Sequence, residues 1–183
     1  MCHGKKQRKR VRFRKEEEMS NYSFRKAEKK DIVSILKIYN SNTSFLKNHL
    51  GSAKVDERFI ENELTEMEKM NFLSSVIVSN DTEQVIGVID YKADDTVYLS
   101  LIMLDAELQR QGIGKKLYNQ FEKEMKTIGK DKIRIDVVND YNNNVIPFWE
   151  KQGFISQETI VLEWGNKKSP AIVMTKKLGE QSN

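Results

Sequence analysis

Apolar positions along this chain recur with two different periods, and the switches between them mark its elements. Residues 22–25 read as a short first strand. From Ile32 the period becomes helical, with Ile32, Ile35, Leu36 and Tyr39 on one face and Asp31 placed as the cap. Residues 40–54 are polar and read as a connector with Phe45, Leu46 and Leu50 as anchors. A second helix is expected over residues 56–70, where Phe59, Ile60, Leu64 and Met67 return at helical spacing. The period then falls to two. Residues 74–79 and 84–91 flank a polar turn and predict an antiparallel hairpin, and Val97–Leu104 is a third strong strand. Leu117, Tyr118, Phe121 and Met125 carry a helix over residues 115–126, closed by Gly129. Lys132–Val138 is a further strand, and residues 144–151 a short helix with Pro147 in its first turn, where proline is tolerated. Residues 154–164 and 171–178 are two closing strands. The order is strand, two helices, three strands, helix, strand, helix, two strands, which is a mixed α/β sheet with helices on its faces.

The turn between the third strand and the following helix reads Gln109-Arg110-Gln111-Gly112-Ile113-Gly114. A glycine turn in that position offers backbone N–H groups to a phosphate, with the positive end of the helix behind them. It lacks the lysine and hydroxyl of a phosphoryl-transfer loop. The chemistry it fits is therefore the holding of an existing pyrophosphate, as in a nucleotide-tailed cofactor.

Composition changes this picture only at the N-terminus. The 183 residues carry a net charge of +4, but residues 1–18 hold Lys5, Lys6, Arg8, Lys9, Arg10, Arg12, Arg14 and Lys15 against Glu16, Glu17 and Glu18. The rest of the chain, with 23 basic and 24 acidic residues, is close to neutral. The basic pI thus belongs to a leader, and nucleic-acid binding by the whole body is not implied. Residues 1–18 read as a disordered leader, or as a start upstream of a domain that opens at Met19. They are also the only part suited to nucleic acid or an anionic surface. Residues 19–183 read as one domain. A single cysteine, Cys2, forms no internal disulfide, and neither a membrane-length apolar run nor a signal sequence is visible. Cytoplasmic location is the expectation.

Two signatures resemble the GCN5-related N-acetyltransferase (GNAT) superfamily. One is the loop 109–114, of the form Gln/Arg-x-x-Gly-x-Gly/Ala. The other is Asn142, Val145, Phe148, Trp149, Gly153 and Phe154, in the pattern of the family's late helix and following turn. The element order of residues 22–178 is similar as well. The resemblance implies a mostly antiparallel central sheet with helices on both faces and one splayed parallel strand pair, here Val97–Leu104 and Lys132–Val138. Acyl-CoA would lie in that wedge. It implies that Gln109, Arg110, Gln111, Gly112, Ile113, Gly114 and Lys115 hold the pyrophosphate, with Gly112 and Gly114 as points of close backbone approach. Leu101, Ile102 and Met103 would pair with the pantetheine arm, and a backbone N–H there, at Leu101 or its neighbours, would support the oxyanion. Asn142 would bond the arm or cap the helix. Trp149 stands where the family often has a tyrosine suited to protonating the departing thiolate, and an indole is a poor acid. Tyr98, Tyr118 and Tyr141 are substitutes. Asp90 and Asp136 are the candidate bases, Glu150 a weaker one, and Ser100 a candidate for orienting substrate.

The function so implied is transfer of an acetyl group from acetyl-CoA to a primary amine by direct attack in a ternary complex. His49 sits in a polar connector and Cys2 in the leader, so no nucleophile pair for a covalent route is apparent, and no metal is called for. Two rivals stand beside it: a non-catalytic acyl-CoA-binding module, and a nucleic-acid- or ribosome-associated protein acting through residues 1–18. The acceptor is left open among a polyamine, an aminoglycoside, a small amino compound and a protein amine, with no membrane partner. A homodimer is a family-level expectation.

Overall fold

The computed structural model describes residues 21–140, 145–164 and 167–179. The leader, Tyr141 and Asn142 lie outside the described residues. The elements are β1 (Tyr22–Lys26), α1 (Ile32–Ser41), α2 (Thr43–Leu50), α3 (Glu57–Lys69), β2 (Leu73–Ser79), β3 (Val85–Ala93), β4 (Val97–Leu104), α4 (Ile113–Thr127), β5 (Lys132–Val138), α5 (Ile146–Lys151), β6 (Ile155–Trp164) and β7 (Lys167–Lys177). The seven strands form one sheet in the order β1-β2-β3-β4-β5-β7-β6. Every neighbouring pair is antiparallel except β4 and β5. The parallel pair is the one joined through α4, as a parallel connection requires a crossover.

Each sheet face has its own core. On one side α4 places Leu117, Tyr118, Phe121 and Met125 against Ile77, Ile89 and Ile133, joined by Trp149 of α5 and by Phe154. On the other, Ile35, Ile38 and Tyr39 of α1, Leu46 of α2 and Ile60 of α3 cover Val76, Val88 and Met103. This is the two-faced arrangement the alternation of strand residues calls for. Burial of each large apolar side chain contributes about 1.5–3 kcal/mol.

Two local expectations are corrected. Asp31 stands at the start of α1 without capping it; its carboxylate takes two bonds of 2.7 Å from Arg25 and one of 2.9 Å from the Glu28 N–H. Residues 40–54 are not an irregular connector, because α2 occupies Thr43–Leu50. One buried side chain, Leu46, anchors this two-turn helix, and Gly51 ends it in the left-handed conformation at φ +73°. Asn42, between α1 and α2, donates to the Leu104 carbonyl at 2.9 Å and to the Ile38 carbonyl at 2.8 Å. Ser41 accepts from the Ala106 N–H at 3.0 Å. These bonds clamp the α1–α2 corner to the end of β4.

Candidate active site

The site starts at the seam between β4 and β5. The two strands pair at Val97–Ile133 and Tyr98–Arg134 and nowhere else. Residues 99–104 and 135–138 therefore face one another without a ladder. The cause is visible on β4. Asp90 lies opposite Leu101 but Tyr91 lies opposite Leu99, so Ser100 is an extra residue in the strand. A bulge bends its strand and increases its twist. Here it falls just past the point where the β4–β5 ladder ends.

The gap is a cleft of about 440 Å³. Leu99–Leu104 line one wall and Ile135–Val138 the other, with Phe148 and Trp149 on the α5 side and Ser44, Phe45 and His49 on the α2 side. Gln109 and Gly114 mark the end where α4 begins. The glycine turn is shaped as its sequence suggests. Arg110 takes φ +61° and Gly112 φ +79°, so the chain reverses sharply before the helix. Gly112 is the N-cap residue and supplies no side chain to the first-turn N–H groups of α4, whose dipole favours an anion at that end. A β-carbon at Gly112 or Gly114 would meet nothing within 4 Å. The face of the turn is open.

The cleft gathers some of the expected residues and leaves others out. Leu101, Ile102, Met103, Gln109, Gly114, Trp149 and Asp136 line it. Arg110, Gln111, Gly112 and Lys115 lie on the turn beside it rather than in its lining, as does Ile113. The Gln109 side chain is engaged with the fold, donating to the Asn42 Oδ1 at 2.7 Å, and Gln111 donates to the Glu107 carbonyl at 2.9 Å. Both residues thus hold the turn in place through their amides.

The two candidate bases are differently occupied. Asp136 accepts two bonds from Arg134, at 2.8 and 3.0 Å, so its carboxylate is neutralised by a fixed cation. Asp90 is buried on the α1–α3 face and does not line the cleft. Burial raises its pKa to about 6, with Ser74 opposing and Glu63 adding to the shift. Among the substitute acids, Tyr98 and Tyr118 do not line the cleft. Burial pushes both phenols well above their ordinary value. Trp149 does line it, but its ring is packed edge-on against Phe148, Phe154 and Tyr118 at 5.0, 5.3 and 5.5 Å between centroids.

His49 is the residue that sequence reasoning set aside. It lies in the last turn of α2 and lines the cleft. Its ring stacks on Phe45 with centroids 4.0 Å apart and meets Trp164 edge-on at 5.7 Å. Burial lowers its pKa, as does Lys167, against opposing effects from the Phe45 carbonyl and Asp140. The usable signal was the four-residue spacing of Phe45 and His49 before a C-terminal glycine, which puts both rings on one helix face.

Splayed parallel strands with an open glycine turn at one end form a cleft suited to an elongated ligand with an anionic tail. Residues 32–154 match the model of the acetyltransferase (GNAT) family, and the chain belongs to that family. Its members take their acetyl group from acetyl-CoA. The uncharacterized Bacillus subtilis (strain 168) protein YdhI is 29% identical over 112 residues, which cover 61% of this chain and 65% of that relative. An acetyltransferase from Thermus thermophilus superposes with a TM-score of 0.71 at 15% identity, over 86% of this chain and 97% of its own. The spermidine N-acetyltransferase of Vibrio cholerae, solved with CoA and spermine, gives 0.67 at 16% identity, over 87% and 96%. At such identities the structural likeness speaks for the fold. Among the described residues, no helix is long and apolar enough to cross a membrane.

Proposed function

We propose that this protein transfers an acetyl group from acetyl-CoA to a primary amine by direct attack within the β4–β5 cleft. The observation that carries this reading is the splay itself. Past Ser100, β4 has no ladder partner on its β5 side. A buried strand edge without partners is costly, and an extended amide-bearing arm is the ligand that satisfies it. The residues present fit such a donor: an open turn with uncapped helix N–H groups for the pyrophosphate, an unladdered β4 segment at Leu101–Met103 for the arm, and an apolar floor at Phe148 and Trp149 for the acyl end. Asn142 keeps its proposed contact with the arm on the family pattern alone.

Bound acetyl-CoA supplies an activated acyl carbon with a fair leaving group. The chain's own task is to orient that carbon and to stabilise charge. A backbone N–H on the bulged segment of β4, directed at the carbonyl oxygen, would polarise it and hold the oxyanion. Trp149 packs the acyl end and supplies no acidic hydroxyl, so the thiolate takes its proton from water or from the attacking amine. The acceptor enters from the α2 side, where Phe45 and His49 form an aromatic wall, with Trp164 packed edge-on against both rings. Such a wall suits an ammonium group or an apolar carrier next to it.

The test is calorimetric titration of acetyl-CoA into the wild type and Gly112→Trp. Gly112 sits at φ +79° on the open face of the turn, so the indole both strains the turn and covers it. Saturable wild-type binding, weakened about tenfold or more in a variant that keeps its circular dichroism, is the expected result. The follow-up is thiol release with spermidine, phenethylamine and an alanyl peptide. Thiol release with none of them, alongside normal acetyl-CoA binding, would support the binding-module reading that Trp149 favours.

A further inference from the structure

We propose that His49 is the base that takes the proton from the acceptor's ammonium group. This rests on the transferase reading and adds the residue that the cleft needs for it. An amine must be neutral to attack a thioester, and most alkylamines are protonated at neutral pH. Among the described residues lining the cleft, the titratable side chains are His49 and Asp136. Asp136 is committed to Arg134 through both carboxylate oxygens. Asp90 lies outside the cleft lining. His49 is the other titratable side chain of that lining.

The described contacts hold the ring in place. Its Nδ1 is 3.0 Å from the Phe45 carbonyl. A carbonyl only accepts, so Nδ1 carries the hydrogen and Nε2 bears the lone pair. Stacking on Phe45 and the edge contact with Trp164 fix the ring plane. The backbone beneath it is fixed too, because the Lys167 ammonium donates to the carbonyl of Asn48. The charged groups around the ring are Lys167 of β7 and Asp140 after β5, 3.5 Å from each other, with Glu63 of α3 taking the Trp164 indole N–H on the far side. Burial and Lys167 lower the ring's pKa against the Phe45 carbonyl and Asp140, which favours the neutral imidazole, the state that accepts a proton.

The step balances simply. The ammonium proton passes to Nε2, giving an imidazolium and a neutral amine. The amine lone pair forms the C–N bond at the thioester carbon, and the C–S bond breaks with its electron pair going to sulfur. The second amine proton neutralises the thiolate, and the imidazolium returns its proton to solvent. No other reactant is needed.

His49→Asn tests this, because the asparagine amide can reproduce the Nδ1–H bond to the Phe45 carbonyl while removing Nε2; His49→Ala removes both. The assay is thiol release with the fastest of spermidine, phenethylamine and the alanyl peptide, and separately with hydroxylamine, an amine that is uncharged at neutral pH. Both variants are expected to lose about 100-fold or more with the protonated amine, the usual range for a general base. Both should lose much less with hydroxylamine than with the protonated amine, and should keep acetyl-CoA affinity near the wild-type value. The wild-type kcat/KM should fall on the acid side below the ordinary histidine range, and the variants should lack that limb. Wild-type turnover and an unchanged acid limb in His49→Asn would overturn the assignment, as would equal losses with hydroxylamine. Failure of the wild type with every amine, hydroxylamine included, would overturn the transferase reading first and this one with it.

Discussion

Gly87→Ala is expected to cost this protein about 3 kcal/mol of stability, at the severe end for a single added methyl, and to close its cleft. Gly87 is the third residue of β3, between β2 and β4, opposite Ile77 on one side and Leu104 on the other. A β-carbon there would stand 2.6 Å from the Met103 carbonyl oxygen, 3.0 Å from Ile77 Cδ1 and 3.2 Å from Leu104 Cδ2. The side chains can turn away, but the carbonyl belongs to the backbone of β4. Relief comes only if β4 moves off β3 and so toward β5, which weakens a central ladder and narrows the wedge. The urea midpoint should fall sharply, and any folded fraction should bind acetyl-CoA more weakly. An alanine variant with wild-type midpoint and affinity would show that β4 is more compliant than its packing indicates.

The second large effect is a dependence of stability on pH through Asp90. Its folded pKa of about 6 lies above the ordinary aspartate value of 3.8, chiefly because burial disfavours the charge. Between those values the folded chain holds a proton that the unfolded chain has released. Stability from this group is therefore complete below about pH 4, declines as pH rises through the window, and is gone above about pH 6. A gap of that size corresponds to something on the order of 3 kcal/mol. Asp90→Asn carries no charge at any pH. It should denature at higher urea than the wild type at neutral pH, with the advantage shrinking toward zero near pH 4. An advantage of the same size at both pH values would mean that burial of the charge is not its source.

Much of this architecture was legible along the chain, and the gaps have physical reasons. β4 and β5 were found at their observed limits because Val97–Leu104 is a mostly apolar run and Lys132–Val138 alternates charged with β-branched residues, each bounded by polar turns. The glycine turn was legible because only certain residues reverse a chain before a helix. α2 was not, because a two-turn helix that fully buries only one residue, Leu46, is too short for a helical period to repeat. Missing that helix also hid His49, whose position depends on the helix turning it toward Phe45. The bulge at Ser100 is a matter of register between two strands, and no single strand carries that information. Asp90 and Asp136 were both found on the right strands. Their partners and surroundings, Arg134 for one and the α1–α3 core for the other, come from the tertiary fold.

The two-residue seam between β4 and β5 also divides the sheet into halves that differ in how they come together. β1 to β4 is a run of antiparallel neighbours, and β5, β7 and β6 form a second antiparallel group. Across the seam only Val97–Ile133 and Tyr98–Arg134 pair. Those amide hydrogens of residues 99–104 and 135–138 that point into the seam, and not toward β3 or β7, should therefore exchange with solvent earlier than those in the interior of either half. A strand-like ligand laid against β4 fills that seam with bonds the chain does not make for itself. Its free energy of association would then register as slower exchange in both halves at once, so that the occupied protein opens as one cooperative unit where the empty one opens as two.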